Sequence, residues 1–220
     1  DILESSKSYE EVTEIFVRVN SLGAKLKSSD LALAQITAKW RGSLEFFREF
    51  QVHMDRLGFD VDMGIILKAL VSIITGQSKF QTVGGISQQK LEKGWVETQK
   101  ALNFALNYLS VNLGIDSPTV LSSPFMIITA AYWAHHHNYS ISESESKEFG
   151  KWLLVANAKG RYSRGSSESL LDQDLLAIRS EGTGELNKRL VQQVGRLSFT
   201  TDDLVGRSSR SGIFKTMFLV

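Results

Sequence analysis

Apolar residues recur at intervals of three and four along most of this chain, the spacing of helices that bury one face. Val12, Ile15, Phe16 and Val19 form the first such stripe, with Ser8 and Glu11 spelling a capping box before it. A second stripe runs Leu31, Leu33, Ala34, Ile36, with Ser28 or Ser29 as its N-cap. The pattern predicts further helices over Ser43–Leu57, stopped by Gly58, and over Met63–Ile74, apolar nearly throughout and therefore central. Gly76 to Ile86 is polar and carries Gly84-Gly85, which predicts a loop or short irregular ribbon. Ser87 then caps a long helix to about Leu113, striped by Trp95, Leu102, Leu106, Leu109 and Leu113. Gly94 inside it is a weak point, costing about 1 kcal/mol against Ala in an exposed helix.

Ser123-Pro124 opens a helix to about His137, and Ser142 with Glu145 opens one carrying Phe149, Trp152, Leu153 and Ala156. Ser166–Ser180, Thr183–Val194 and Ser209 to the end complete the set. The expected fold is all-α, an irregular multi-helical bundle of roughly nine or ten helices, as one body over 1–220 or as two packed sub-lobes, 1–114 and 115–220. Its 220 residues suffice to bury roughly 70–75% of the unfolded surface. No internal repeat of fixed period supports a solenoid.

Composition narrows the chemistry. With no Cys, disulfides, thiolate zinc sites and a Cys nucleophile are excluded, and a cytoplasmic location fits. No apolar run nears the roughly 18 residues of a membrane span. A net charge of +1 exerts no global pull on nucleic acid, so such binding would need local patches. The last eight residues hold six apolar ones, Ile213, Phe214, Met217, Phe218, Leu219 and Val220. Together with the absence of an initiating Met, this reads as a chain longer at both ends, its tail covering a partner domain or a second copy.

Phe16-Val-Arg-Val-Asn-Ser-Leu-Gly-Ala-Lys-Leu-Lys-Ser-Ser-Asp30 places Asn20 and Gly23, residues that tolerate positive φ, between two helical patterns. It resembles the F-x-R-(I/V)-N-x-x-G-x-x-L segment of the GmrSD-type restriction family, whose N-terminal module is ParB-like. Gly160-Arg-Tyr-Ser-Arg-Gly-Ser-Ser-Glu-Ser-Leu-Leu-Asp-Gln-Asp174 is similar to that family's G-R-Y-S segment, and Arg207-Ser-Ser-Arg-Ser-Gly-Ile-Phe214 to the start of a later helix. The Asp-Gly-Gln-Gln-Arg signature, associated in that family with nucleotide use, is absent, as is a His-Asn-His-like nuclease segment. The resemblance therefore implies an internal helical region of a protein that restricts foreign DNA, inactive by itself. The missing N- and C-terminal modules are its implied partners, and NTP and a divalent metal are cofactors of those modules only.

Two groups of residues are candidates for function. Arg18, Asn20 and Gly23 offer a cation, an amide and exposed N–H groups to a nucleotide phosphate or a module interface; the alternative is a helix-capping bend with a solvated Arg18. Between Glu148 and Glu168 lie Lys151, Lys159, Arg161 and Arg164 with no acid, and Tyr162 adds an aromatic face. Lys159, Arg161, Tyr162 and Arg164 suit a nucleic-acid backbone and a stacked base. Alternatively they join two helices, with the Arg pair answering Asp172 and Asp174 internally.

Other chemistry is less well supplied. His135-His136-His137 cannot converge on one metal, since consecutive helical side chains point about 100° apart; a helix end capped by Asn138 is expected. His53 and Glu49 suit a surface pair, and Asp60 and Asp62 suit caps. No catalytic residue and no metal site are assigned. The rival reading is a non-catalytic interaction or oligomerisation scaffold, a homo-oligomer through the apolar C-terminal segment, with no role in DNA chemistry.

Overall fold

The segment Ile65–Ser72 is buried at every position, so the helix that contains it has no solvent face along those residues and occupies the middle of the molecule. The structure, a computed structural model, describes Glu11, Glu14, Ile15 and residues 27–198, 200–208 and 211–217. The helices are α1 (Ser28–Lys39), α2 (Ser43–Arg56), α3 (Met63–Thr75), α4 (Gln88–Leu113), α5 (Phe125–His136), α6 (Glu143–Lys159), α7 (Ser167–Ser180), α8 (Thr183–Val194) and α9 (Gly212–Met217). Glu11, Glu14 and Ile15 are helical as well. No strand occurs among the described residues, and the fold is an all-α multi-helical bundle.

Helices α3 and α5 form the centre, packed on each other and both on α4. Outside them α1 and α2 lie against α3, α7 covers α5, α8 bridges α6 and α7, and α9 lies on α6. One continuous core runs from Ala32 to Leu190 and crosses the expected division at 114/115. Its aromatic centre is a stack in which Trp133 and Phe149 lie 4.0 Å apart at 8°, with Trp152 beyond at 5.6 Å from Phe149. Such pairs add about 0.5–1.5 kcal/mol beyond the area they bury.

Local chemistry fixes most helix ends. Ser87 accepts from the Lys90 N–H, and Asp62 Oδ1 accepts from the Gly64 N–H at 2.7 Å. Ser142 and Glu145 form the expected reciprocal box, each side chain closing the other's free N–H. At α1 the closure differs from expectation: the helix begins at Ser28, and Asp30 Oδ2 accepts from the Lys27 N–H at 2.9 Å, so neither serine is the cap.

Other expectations are corrected. Gly94 is buried at the crossing of α3 and α4, where an added Cβ would run into Ile74; it permits close approach and is not an exposed weak point. The expected loop at 76–86 contains a 3-10 turn, Phe80–Gly85, because Lys39 of α1 donates to the carbonyls of Val83, Gly84 and Ile86 at 3.3, 2.6 and 3.0 Å. His53 meets Asn103 Oδ1 at 2.9 Å and not Glu49. After α5, Asn138 and Tyr139 both take positive φ, of 50° and 61°, and reverse the chain.

Within the apolar C-terminal segment, Ile213 is buried against the body and Thr216 Oγ1 accepts from Asn157 Nδ2 at 3.1 Å. Ile213 and Thr216 are thus used inside the fold, while Met217 is exposed. Residues 218–220 lie outside the described residues, as do Arg18, Asn20 and Gly23. No helix among the described residues is long and apolar enough to cross a membrane.

Candidate functional site

At Gly160 the chain leaves α6 with φ of +65°, a left-handed step that an L side chain rarely takes. The step turns Arg161 and Tyr162 inward, onto α7 and α5. Each is 1% exposed. Arg161 grips Asp174 with two nitrogens, Nε to Oδ2 at 3.1 Å and Nη2 to Oδ1 at 2.7 Å, while its Nη1 donates to Gln193 Oε1 at 2.8 Å. Gln193 returns the contact by donating to the Arg161 carbonyl at 3.2 Å. Beside this pair the Tyr162 hydroxyl bonds to Thr129 Oγ1.

This network locks α5, α6, α7 and α8 together. Burial pushes the Asp174 carboxyl above the usual carboxylate range despite the opposing pull of Arg161. The Tyr162 phenol is pushed well up, first by burial and then by the charge of Asp174. A guanidinium buried to this degree and bonded through all three of its nitrogens is out of reach of a nucleic-acid backbone, and Tyr162 has no free face for a base. The internal reading of Arg161 therefore replaces the nucleic-acid one, through Asp174 alone. Asp172 is occupied elsewhere, accepting from the Ser78 N–H at 2.6 Å.

The other two basic candidates differ in exposure, Lys159 being largely covered and Arg164 exposed. Lys159 Nζ lies 2.6 Å from Asp203 Oδ1, and Arg196 Nη2 lies 2.7 Å from Asp203 Oδ2. Lys159, Arg196 and the Thr200 N–H hold the Asp203 carboxyl far below the usual range. Arg164 is exposed, its Nε donating to the Lys159 carbonyl at 2.8 Å. With Arg207, Lys215 and Asp203 these residues border a cavity of about 620 Å³ between the end of α6, the 160–164 turn and the 203–215 segment.

A second cavity, of about 440 Å³, opens among the starts of α1, α3, α5 and α7, bordered by Lys27, Ser29, Asp62, Lys68, Pro124 and Glu168. Lys68 lies on its floor, 5% exposed. Its ammonium meets Glu168 Oε1 at 2.5 Å and the Ser78 carbonyl at 2.9 Å, and sits 4.2 Å from the Phe80 ring centre. At the rim Lys27 and Asp62 pair at 3.2 Å. The Gly64 N–H, opposed by partial burial and aided by Lys27, holds the Asp62 carboxyl below its ordinary value. The positive ends of α3 and α7 are thus answered by their own first-turn or capping acids.

Sequence reasoning did not single out Lys68, Asp203, Arg207 or Lys215. Lys68 stands in a run of apolar residues, where a lone buried cation is itself a signal that a carboxylate must lie near. Among the described residues no three His, Asp or Glu side chains are grouped to hold a metal ion. Neither models of known protein families nor curated proteins match the chain.

Proposed function

We propose that this chain is the helical body of a GmrSD-like DNA restriction or phage-defence protein of the cytoplasm, packing beside a nucleotide-using module and contributing inter-domain contacts. The observation that carries the reading is where the family-like segment ends. Phe16–Asp30 runs into α1, and Lys27, Ser28 and Ser29 of that segment border the cavity floored by Lys68 and Glu168. A module joined ahead of α1 would approach the body from the end that carries Lys27; Arg18, Asn20 and Gly23 belong to the reading through their match to the family-like segment, and lie outside the described residues. Internal use of Arg161 and Tyr162 supports a body that positions other parts over one that reads bases.

The test uses the full-length protein, with Arg18→Ala, Asn20→Ala and Lys27→Ala variants assayed for NTP turnover and for restriction of foreign DNA. Loss of both activities in folded variants is the expected result. Unchanged turnover and restriction would overturn the assignment. A second reading, the interaction scaffold, draws on exposed apolar side chains at Phe46, Val52 and Leu57 on and just after α2 and at Val96 and Val111 on α4. It predicts concentration-dependent self-association, measurable by sedimentation, with no effect of those three variants on DNA restriction.

A further inference from the structure

We infer that the cavity bordered by Lys159, Arg164, Arg207 and Lys215 is a binding site for a phosphate group. Four cations border it and Asp203 is the one carboxylate among its bordering residues. That carboxylate is already shared between Lys159 and Arg196. Arg164 donates only to a backbone carbonyl, and Lys215 Nζ likewise donates to the Leu121 carbonyl at 3.1 Å. No carboxylate pairs with Arg164, Arg207 or Lys215 among the described residues. Both arginines are exposed and Lys215 is half-buried.

The chain as a whole carries a charge of only +1, so this concentration of positive charge is local; Asp203 answers Lys159 and leaves Arg164, Arg207 and Lys215 without a carboxylate among the described residues. Like charges held about one concavity repel, and an anion that enters removes the repulsion while gaining hydrogen bonds from guanidinium forks. Phosphate oxygens match those forks in geometry and charge. A cavity of about 620 Å³ also has room for more than one phosphate. Two segments far apart in sequence, Lys159–Arg164 and Arg207–Lys215, supply the cations, which is why neither alone spells the site.

The inference stands on the cavity and holds whether or not the chain belongs to a restriction protein. Its ligand is the phosphate group of a free nucleotide or of a nucleic-acid backbone, and the experiment separates the two. Pyrophosphate is titrated into the chain by calorimetry at about 50 mM and about 200 mM salt. The same is done with Arg207→Ala, with Arg164→Ala/Arg207→Ala, and with Arg48→Ala on α2 as a control. Circular dichroism verifies that each variant is folded, which the exposure of these side chains favours.

Binding that weakens with salt, falls about tenfold or more in the double variant and is unchanged in Arg48→Ala is the expected result. A fluorescent DNA duplex is then added. Displacement by pyrophosphate and loss in the same variants assign the site to nucleic acid, whereas pyrophosphate binding without DNA binding assigns it to a free nucleotide or phosphate. Absence of pyrophosphate binding at low salt, or binding indifferent to both arginines, overturns the proposal.

Discussion

Arg161 illustrates how a residue that looks functional in sequence can be structural in space. Its pair with Asp174 is buried on both sides, so removing one partner leaves an uncompensated charge in the core. Arg161→Met is expected to cost about 3–5 kcal/mol in urea unfolding, whereas Arg161→Met/Asp174→Leu should cost much less than the two single changes added together. A loss of DNA binding in any Arg161 variant must therefore be read beside its stability. In contrast, Arg164→Ala and Arg207→Ala remove exposed side chains and should change stability by no more than about 0.5 kcal/mol. The sequence offered one clue, the nearby aspartates. Thr129, Asp174 and Gln193 come from three helices, and no local spacing announces such a meeting.

At the scale of elements, the sign of a glycine substitution depends on what faces it. In an exposed helix Gly→Ala gains about 1 kcal/mol, yet at Gly94 the new methyl meets Ile74 of α3. Gly94→Ala is therefore expected to destabilise by about 1–3 kcal/mol in thermal unfolding, with Ile74→Ala restoring part of the loss. The end of α5 gives a second element-scale prediction. Burial, then the charges of His137, His135 and Arg179, lower the His136 pKa below its ordinary value of 6.5. A group whose folded pKa is depressed favours the folded state above the unfolded pKa. Its contribution is lost as pH falls from about 6.5 through the lowered value. An NMR titration should show His136 gaining its proton at lower pH than a free imidazole, and Arg179→Ala should shift that titration upward.

Helix ends were the most legible features, because caps are local. Ser87 and the Ser142–Glu145 box follow from chemistry within a few residues, and the span Thr183–Val194 is bounded by a glycine on each side, Gly182 and Gly195. The 3-10 turn at Phe80–Gly85 was not legible, since the lysine that holds it lies on another helix. The basic cavity was hidden for the same reason, as half of its cations come from residues beyond 200.

For the whole molecule, the continuous core decides how the chain unfolds. Two lobes divided at 114/115 would lose structure separately, but α3, α4 and α5 interlock across that line. Urea unfolding is expected to be one transition, with tryptophan fluorescence coinciding with far-UV circular dichroism. Trp40 and Trp95 report one side of the line and Trp133 and Trp152 the other, so a Trp40→Phe/Trp95→Phe variant reads the second half alone. Separate midpoints for the two halves would show independent lobes.

Lys39 carries a consequence of a different kind. Its one ammonium closes three carbonyls of a turn more than forty residues away, and in doing so ties the end of α1 to the segment that leads into α4. Amide protons in such a stitched pair exchange with solvent through a shared opening rather than independently. The turn should thus keep its protons about as long as α1 does, and Lys39→Met should release them early while α1 itself remains protected.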